Sequence, residues 1–325
     1  MRITALAGGI GGARLLRGLL AQQAELAQPG EVTVIGNTGD DIWLFGLKIC
    51  PDLDSVMYTL GGGASEERGW GREDETFTVK EELAAYGVEP TWFGLGDRDL
   101  ATHIVRSQML GAGFALSAVT AALCQRWNLG LRLLPMSDDR VETHVVIADP
   151  DESSGRRAIH FQEWWVRHHA EIPALGFVQI GNDKARPGPG VLEAIESADL
   201  ILLPPSNPVV SVGPILGVPG IREALLAAKA PIVGISPIVG GAPVRGMADA
   251  CLSALGVETS AAAVAAHYGA RTAGGILDAW LIDERDSAAL PEIQALGMRA
   301  AAVPLLMTDL FATKAIAAAA LSLTS

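Results

Sequence analysis

Two hydrophobic patterns alternate along this chain. Short runs of Ile, Val and Leu bounded by Gly, Pro or Asp read as buried strands, and apolar residues spaced three and four apart read as helices. Ile3–Ala7 is predicted as a strand, Ala13–Gln23 as a helix and Glu31–Ile35 as a second strand. A helix capped by Asp99 runs through Thr102, Arg106 and Met109, with Leu100, Ile104 and Val105 offered to its buried face. A further helix capped by Ser117 reaches Trp127, and Leu131–Leu134 is a strand. Val141–Ala148 and Ala158–Trp164 alternate apolar and polar about "DPDESSG" and predict an antiparallel hairpin. From Phe177–Ile180 the α/β alternation resumes, with strands at Leu200–Leu203, Ile232–Ile235, Ile276–Ile282 and Met298–Val303. The helices between them are one entered at Pro219, then Met247–Leu255, Ala261–Tyr268 and an Ala-rich closing helix. This order predicts an α/β fold: one domain over 1–325, a mostly parallel sheet with helices on both faces, an antiparallel hairpin and a partly helical insertion at about 55–128.

Composition narrows the function. With 24 basic against 37 acidic residues the net charge is −13, which argues against nucleic acid as a partner. An anion would then be held by local arginines and helix N-termini. Three scattered cysteines, without metal-ligand spacing, predict reduced thiols in a cytoplasmic protein. Asp199 and Arg222 bracket 22 uncharged residues, but five prolines interrupt them, so no membrane helix is expected.

Ligands of such sheets sit beyond the strand C-termini, and that is where the polar loops fall. "AGGIGGAR" (Ala7 to Arg14) leads from strand to helix, so its backbone N–H groups can approach a phosphate. The dinucleotide fingerprint fails at its third glycine, where Arg14 stands, and Asn37 replaces the expected ribose-binding acid, which disfavours NAD. A nucleotide or diphosphate fits better, with Arg14 adding charge. "TVIGNTGDDIW" sets Asp40 and Asp41 at the lip of the second strand. In "CPDLDSVMYTLGGG", Asp52 and Asp54 would share a face if that segment were extended. Carboxylates clustered beside a phosphate site call for hydrated Mg²⁺, with Asp40 and Asp41 as its ligands. "FGLGDRDLATHIVRS" offers Arg98 as an anion clamp, with His103 read as a helix-face residue. "PPSNPVVS" and "SPIVGGAPVRG" are rigid loops, the first presenting Ser206 and Asn207. No GxSxG, HExxH or Cys/His nucleophile motif occurs, so positioning and charge stabilisation around a phosphate are favoured.

Taken together, "GGIGGARLL", "NTGDDIWLFGLKICPDLDSVMYTLGGG", "RGWG", "WFGLGDRDLATHIVRSQML", "LSAVT", "PMSDD", "ETHV", "HFQEWWV", "PPSNPVVSVGPIL", "SPIVGG" and "RGMADACLS" run from about residue 8 to 255. This set resembles the 2-phospho-L-lactate transferase family of deazaflavin coenzyme biosynthesis, and within it the actinobacterial type with a phosphoenolpyruvate-derived donor. The resemblance implies a Rossmann-like, Mg²⁺-dependent homodimer. It implies a donor in which guanosine diphosphate is esterified to a three-carbon acid, and the deazaflavin Fo as acceptor. The terminal ribityl hydroxyl of Fo attacks the phosphorus bearing the acid, and GMP leaves. Residue by residue, it assigns Fo binding to Asp54 and Arg98, with Asp54 orienting or deprotonating the hydroxyl and Asp40 beside it. Gly11, Gly12, Arg14, Ser206 and Asn207 are expected to hold the donor's nucleotide and phosphates. The turn "GGIGGAR" departs from the GGTGTPK-like run of the simplest archaeal pattern. A related family with the same turn binds nucleotide sugars as a regulator without established catalysis. "CPDLDSVMY", "GDRDLATHI" and "HFQEWW" favour the transferase.

Overall fold

Continuous apolar runs occupy the middle of a parallel sheet in the structure, a computed structural model that describes residues 1–323. In chain order the strands are β1 (Arg2–Ala7), β2 (Glu31–Gly36), β3 (Ile42–Leu44), β4 (Leu47–Ile49), β5 (Arg132–Pro135), β6 (Glu142–Ala148) and β7 (Arg156–His160). They continue with β8 (Ala174–Ile180), β9 (Leu200–Leu203), β10 (Ile232–Ile235), β11 (Ile238–Val239), β12 (Ala242–Pro243), β13 (Ala279–Asp283) and β14 (Arg299–Val303). Five helices lie in the first half: α1 (Gly9–Ala24), α2 (Pro51–Leu60), α3 (Thr78–Ala85), α4 (Asp97–Gly111) and α5 (Leu116–Gln125).

Seven strands form the main sheet in the order β14-β13-β10-β9-β1-β2-β5, every pair parallel. Every residue of β9 and β10 is buried, as an inner strand covered on both faces requires. Adjacent β1 residues serve opposite faces. Leu6 joins Ile201, Ile232, Val145 and Trp164 in one cluster, while Ala5 joins Leu202, Val233, Leu16 and Ile316 in the other. From β1 the chain builds outward through β2 and β5. It then returns to β9 on the other side and proceeds to β14. The order therefore reverses between β1 and β9, and the loops beyond their C-terminal ends frame the crevice in which such folds bind ligands. Those loops are Gly8–Gly12 and Pro204–Asn207.

Several elements differ from the sequence expectation. "PDLD" is the first turn of α2, entered through Pro51, rather than an extended segment, so Asp52 and Asp54 point apart. Helix α4 begins at Asp97 behind Gly96, and it buries His103 and Arg106 while exposing Ile104 and Val105. Its polar stripe faces inward because buried carboxylates await it there. Helix α5 begins at Leu116; the Ser117 amide and hydroxyl are held by Asp138 at 2.6 and 2.8 Å. The hairpin gains a third strand: β8 pairs antiparallel with β6, giving the order β7-β6-β8, so Phe177–Ile180 belongs there and not to the parallel sheet. After His160 the backbone leaves the strand for a helical turn, Glu163–Arg167. The proline-interrupted stretch forms two helical pieces, Pro208–Gly217 and Ile221–Ala227, bent by 86°. Among the described residues no single helix is long and apolar enough to cross a membrane.

Candidate active site

A cleft of about 1460 Å³ opens at the β1/β9 crevice and extends under the insertion between β4 and β5. On one side Gly8, Gly9, Ile10, Gly11 and Arg14 line it, with the N-terminus of α1 facing the cleft and the Gly9 N–H bonded to Asp52. Its positive dipole end and the N–H groups that follow Gly9 in the first turn suit a phosphate. The glycines let the β9 loop close onto this turn. A Cβ on Gly11 would stand 2.5 Å from the Pro205 carbonyl oxygen, and one on Gly12 2.7 Å from Ser206 Oγ. Ser206 Oγ donates to the Gly8 carbonyl (2.8 Å) and accepts from the Gly8 N–H (3.2 Å), tying the two loops together. Asn207 caps the following turn through the Val209 and Val210 amides (2.9 and 3.3 Å) and also lines the cleft. Gly11, Arg14, Ser206 and Asn207 thus meet at one place, while Gly12 lies beneath it as packing.

Asp40 and Asp41, adjacent in sequence, diverge. Asp41 is fully buried and faces a second pocket; its Oδ2 takes Lys48 Nζ and the Cys50 thiol, each at 3.1 Å. Burial penalises the Lys48 charge, yet Asp41 outweighs that and raises its pKa. Asp40 instead lines the main cleft and accepts from Gln162 Nε2 at 3.0 Å. Its companion is Asp52: Asn37 Nδ2 donates to Asp52 at 2.9 Å and to Asp40 at 3.3 Å. Asn37 therefore holds two carboxylates rather than a ribose. Burial, then the charges of Asp52 and Asp41, push the Asp40 carboxyl well above its ordinary value. Burial likewise lifts Asp52 to about 6, against the hydrogen bonds it accepts from Asn37 and Gly9. Two buried carboxylates that resist joint ionisation form an oxygen-only pair suited to a hard cation such as Mg²⁺.

Across the cleft, α2 and α4 build a charged network that is almost wholly buried. Arg106 is 1% exposed and grips both Asp54 oxygens, one at 3.1 Å through Nη1 and the other through Nη2. Burial opposes its charge, but Asp54 outweighs this and raises the Arg106 pKa. Arg106 also donates to His103 Nδ1 at 3.0 Å, which places the His103 proton on Nε2, 3.3 Å from Asp99. Tyr58 donates to the other Asp99 oxygen at 2.5 Å. Burial would raise Asp99, but the close approach of His103 and the bond from Tyr58 prevail and hold it below the usual carboxylate range. Asp54, Asp99 and His103 offer ligand atoms all within 4.8 Å of one another, a grouping that could hold a metal ion. With Arg106 occupying Asp54 and a proton on Nε2, however, this network suits hydrogen bonding better than it suits Mg²⁺.

Asp54 lines the cleft with this network, beside the aromatic rings of Trp70, Phe77, Trp92 and Phe93. Arg98 does not. Its side chain, half exposed, pairs with Asp74 at 3.7 Å and donates to the Glu73 carbonyl at 3.3 Å, fastening the 72–75 segment to the start of α4. His103, Arg106, Tyr58, Asn37 and Gln162 were not foreseen as site residues. For Asp99, His103 and Arg106 the signal was present as spacing: i, i+4 and i+7 put three ionisable side chains on one helical face. Burial of that face was not readable without its partners on α2.

The chain matches the family model described as 2-phospho-L-lactate transferase CofD over residues 3–304. It is 65% identical over 327 aligned positions to a phosphoenolpyruvate transferase of Thermobifida fusca, covering 99% of this chain and 98% of the relative. A protein of the same name from Streptomyces griseus is 66% identical over 323, again covering 99% and 98%. One from Nocardia farcinica is 58% identical over 322, covering 99% and 94%. Among solved structures, protein BH3568 of Bacillus halodurans superposes with a TM-score of 0.62 at 19% identity, covering 98% of this chain and 99% of that one, a likeness of fold alone. A parallel sheet with its crevice at the glycine turn, and a match running through nearly every strand of it, lead to one conclusion: the chain belongs to the 2-phospho-L-lactate transferase family, CofD.

Proposed function

We propose that this transferase moves a phospho-three-carbon-acid group, phosphoenolpyruvyl as in the names of its relatives, from a guanosine diphosphate-linked donor to the terminal ribityl hydroxyl of Fo, releasing GMP. The observation that carries this reading is the continuity of the cleft. A helix N-terminus, a buried carboxylate pair and an aromatic-walled recess line one space. In this reading the diphosphate sits at Gly8–Gly11 and the deazaflavin ring among Trp70, Phe77, Trp92 and Phe93. The acceptor hydroxyl then reaches the phosphorus between Asp54 and Asp40. Attack forms the new P–O bond, the P–O bond to GMP breaks, and the hydroxyl proton passes to a carboxylate. Asp54, gripped by Arg106, accepts a hydrogen bond from the hydroxyl, orients it and takes its proton. Asp40 and Asp52 would hold Mg²⁺, which when bound supplies charge neutralisation at the diphosphate oxygens. Arg98 supports Fo binding by anchoring the 72–75 segment. The protein acts in the cytoplasm as a homodimer with no nucleic-acid or membrane partner.

The test is incubation with Fo, Mg²⁺ and guanosine diphosphate esters of enolpyruvate, lactate and glycerate, read by mass spectrometry. A phosphodiester of Fo together with GMP is expected. Unchanged Fo with every donor, or Fo fluorescence unaltered by the protein, would defeat the proposal.

A further inference from the structure

Two guanidinium groups in the cleft make no ion pair among the described residues. Arg17 pairs with Glu66 at 2.7 Å. Arg68 donates to the Arg72 carbonyl and lies over the rings of Trp70 and Phe77 at 5.7 and 5.9 Å. Arg14 and Arg245 line the same cleft, yet neither makes an ion pair or side-chain hydrogen bond among the described residues. In a chain of net charge −13, two such groups lining one cleft are conspicuous. Burial first, then the charge of Arg245, lower the Arg14 pKa, against the opposing charge of Glu66.

Arg245 is delivered by the turn after β12, whereas the surface it rests on belongs to the insertion. A Cβ on Gly69 would lie 2.0 Å from Arg245 Nη1, and Gly69 has φ +74°, so two independent constraints keep a side chain out of that position. The guanidinium thus spans from one wall of the cleft to the other, toward Arg14. Arg14 is five residues into α1, and helical side chains lean toward the helix N-terminus, so its head sits beside the phosphate-binding turn rather than within it.

We propose that Arg14 and Arg245 form a clamp for the carboxylate of the donor's three-carbon acid, distinct from the glycine turn that takes the diphosphate. The inference rests on the transferase reading above and names the group that makes the donor more than a nucleotide. The donor carries charge at two places, on its diphosphate and on its acid. Backbone N–H groups and a cation between Asp40 and Asp52 answer the first. The acid's carboxylate needs its own cations in this acidic protein, and two planar forks match it in geometry. A neutral group in its place would leave both arginines without an ion pair, so the clamp selects for an acid.

Calorimetric titration with three probes tests this without Fo: GDP, guanosine diphosphate esterified to lactate, and guanosine diphosphate esterified to propanol, which lacks the carboxylate. Wild type is expected to bind the lactate ester about tenfold more tightly than the propyl ester. Arg245→Gln should abolish that preference while leaving GDP affinity within about threefold, and Arg14→Lys, which keeps charge but not the fork, should reduce it in part. Equal loss for GDP and the lactate ester would overturn the proposal by making the pair a phosphate site. Undiminished preference in Arg245→Gln would overturn it by removing Arg245 from the donor. Because these readings need no turnover, failure to modify Fo would count against the transferase reading alone.

Discussion

Asp52 and Asp54 stand two residues apart in the first turn of α2, about 200° around its axis, and so serve opposite sides of the cleft. Among the described residues Asp54 is the one acid paired with the buried Arg106. Asp54→Asn should therefore do two things: lower turnover by about 10²–10⁴, and lower stability by about 3–5 kcal/mol because the Arg106 charge is left unpaired. Fo affinity should change less, since an amide still bonds a hydroxyl. Full turnover in Asp54→Asn at a temperature where it is folded would remove Asp54 from the chemistry. Asp52 predicts a pH effect. Its folded pKa of about 6 exceeds the ordinary carboxyl value, so the folded chain holds this proton more tightly than the unfolded chain. The stability it contributes is complete below about pH 4 and is lost as pH rises through about 6. The stability of wild type relative to Asp52→Asn should thus fall by about 2–3 kcal/mol across that interval in metal-free buffer. Denaturant titrations of both proteins check this, and a flat difference would contradict it.

At the scale of elements, the glycine turn and the β9 loop form one unit. Gly11→Ala puts a methyl group on the Pro205 carbonyl, and backbone on both sides leaves little room to yield. A cost of about 1–3 kcal/mol is expected, with donor binding impaired far more than Fo binding. Equal GDP affinity in variant and wild type would show that the two loops need not touch. Helix α4 acts as a second unit, because Arg98 ties the 72–75 segment to its start. Arg98→Ala should raise KM for Fo several-fold by loosening that wall, leaving GDP affinity unchanged. A matching loss of GDP affinity would place Arg98 on the donor side instead.

For the whole molecule, the decisive feature is that both substrates' walls converge where the strand order reverses. One wall comes from the loops after β1 and β9, assigned above to the donor, and the other from an insertion after β4, assigned to the acceptor. A cation held by Asp40 and Asp52 would sit at their junction. Removing Mg²⁺ with excess chelator is expected to abolish transfer while leaving Fo binding, read by fluorescence, largely intact. Complete turnover under chelation would refute the metal requirement. Added Mg²⁺ should also raise the melting temperature of wild type but not of Asp52→Asn, since a ligand bound only by the folded state stabilises it.

The sequence alone determined the layered α/β plan, because strand and helix periodicities are local and apolar runs can only be buried. It also located the glycine turn and "PPSN", since a strand–glycine–helix junction carries its own chemistry. Tertiary structure decided which neighbours face each other. Asp40 and Asp41 part because one meets Gln162 and the other Lys48, both distant in sequence or in another strand. "PDLD" became helical because Pro51 opens a turn that packs Val56 and Met57 against the sheet. Helix α4 turned its ionisable stripe inward, against Ile104 and Val105, because Asp54 and Tyr58 supply the partners that make burial of Arg106 and His103 affordable. The meeting of Arg245 with Gly69 across more than a hundred residues leaves no trace in local pattern, since a contact between loops is fixed only when the walls that carry them are in place.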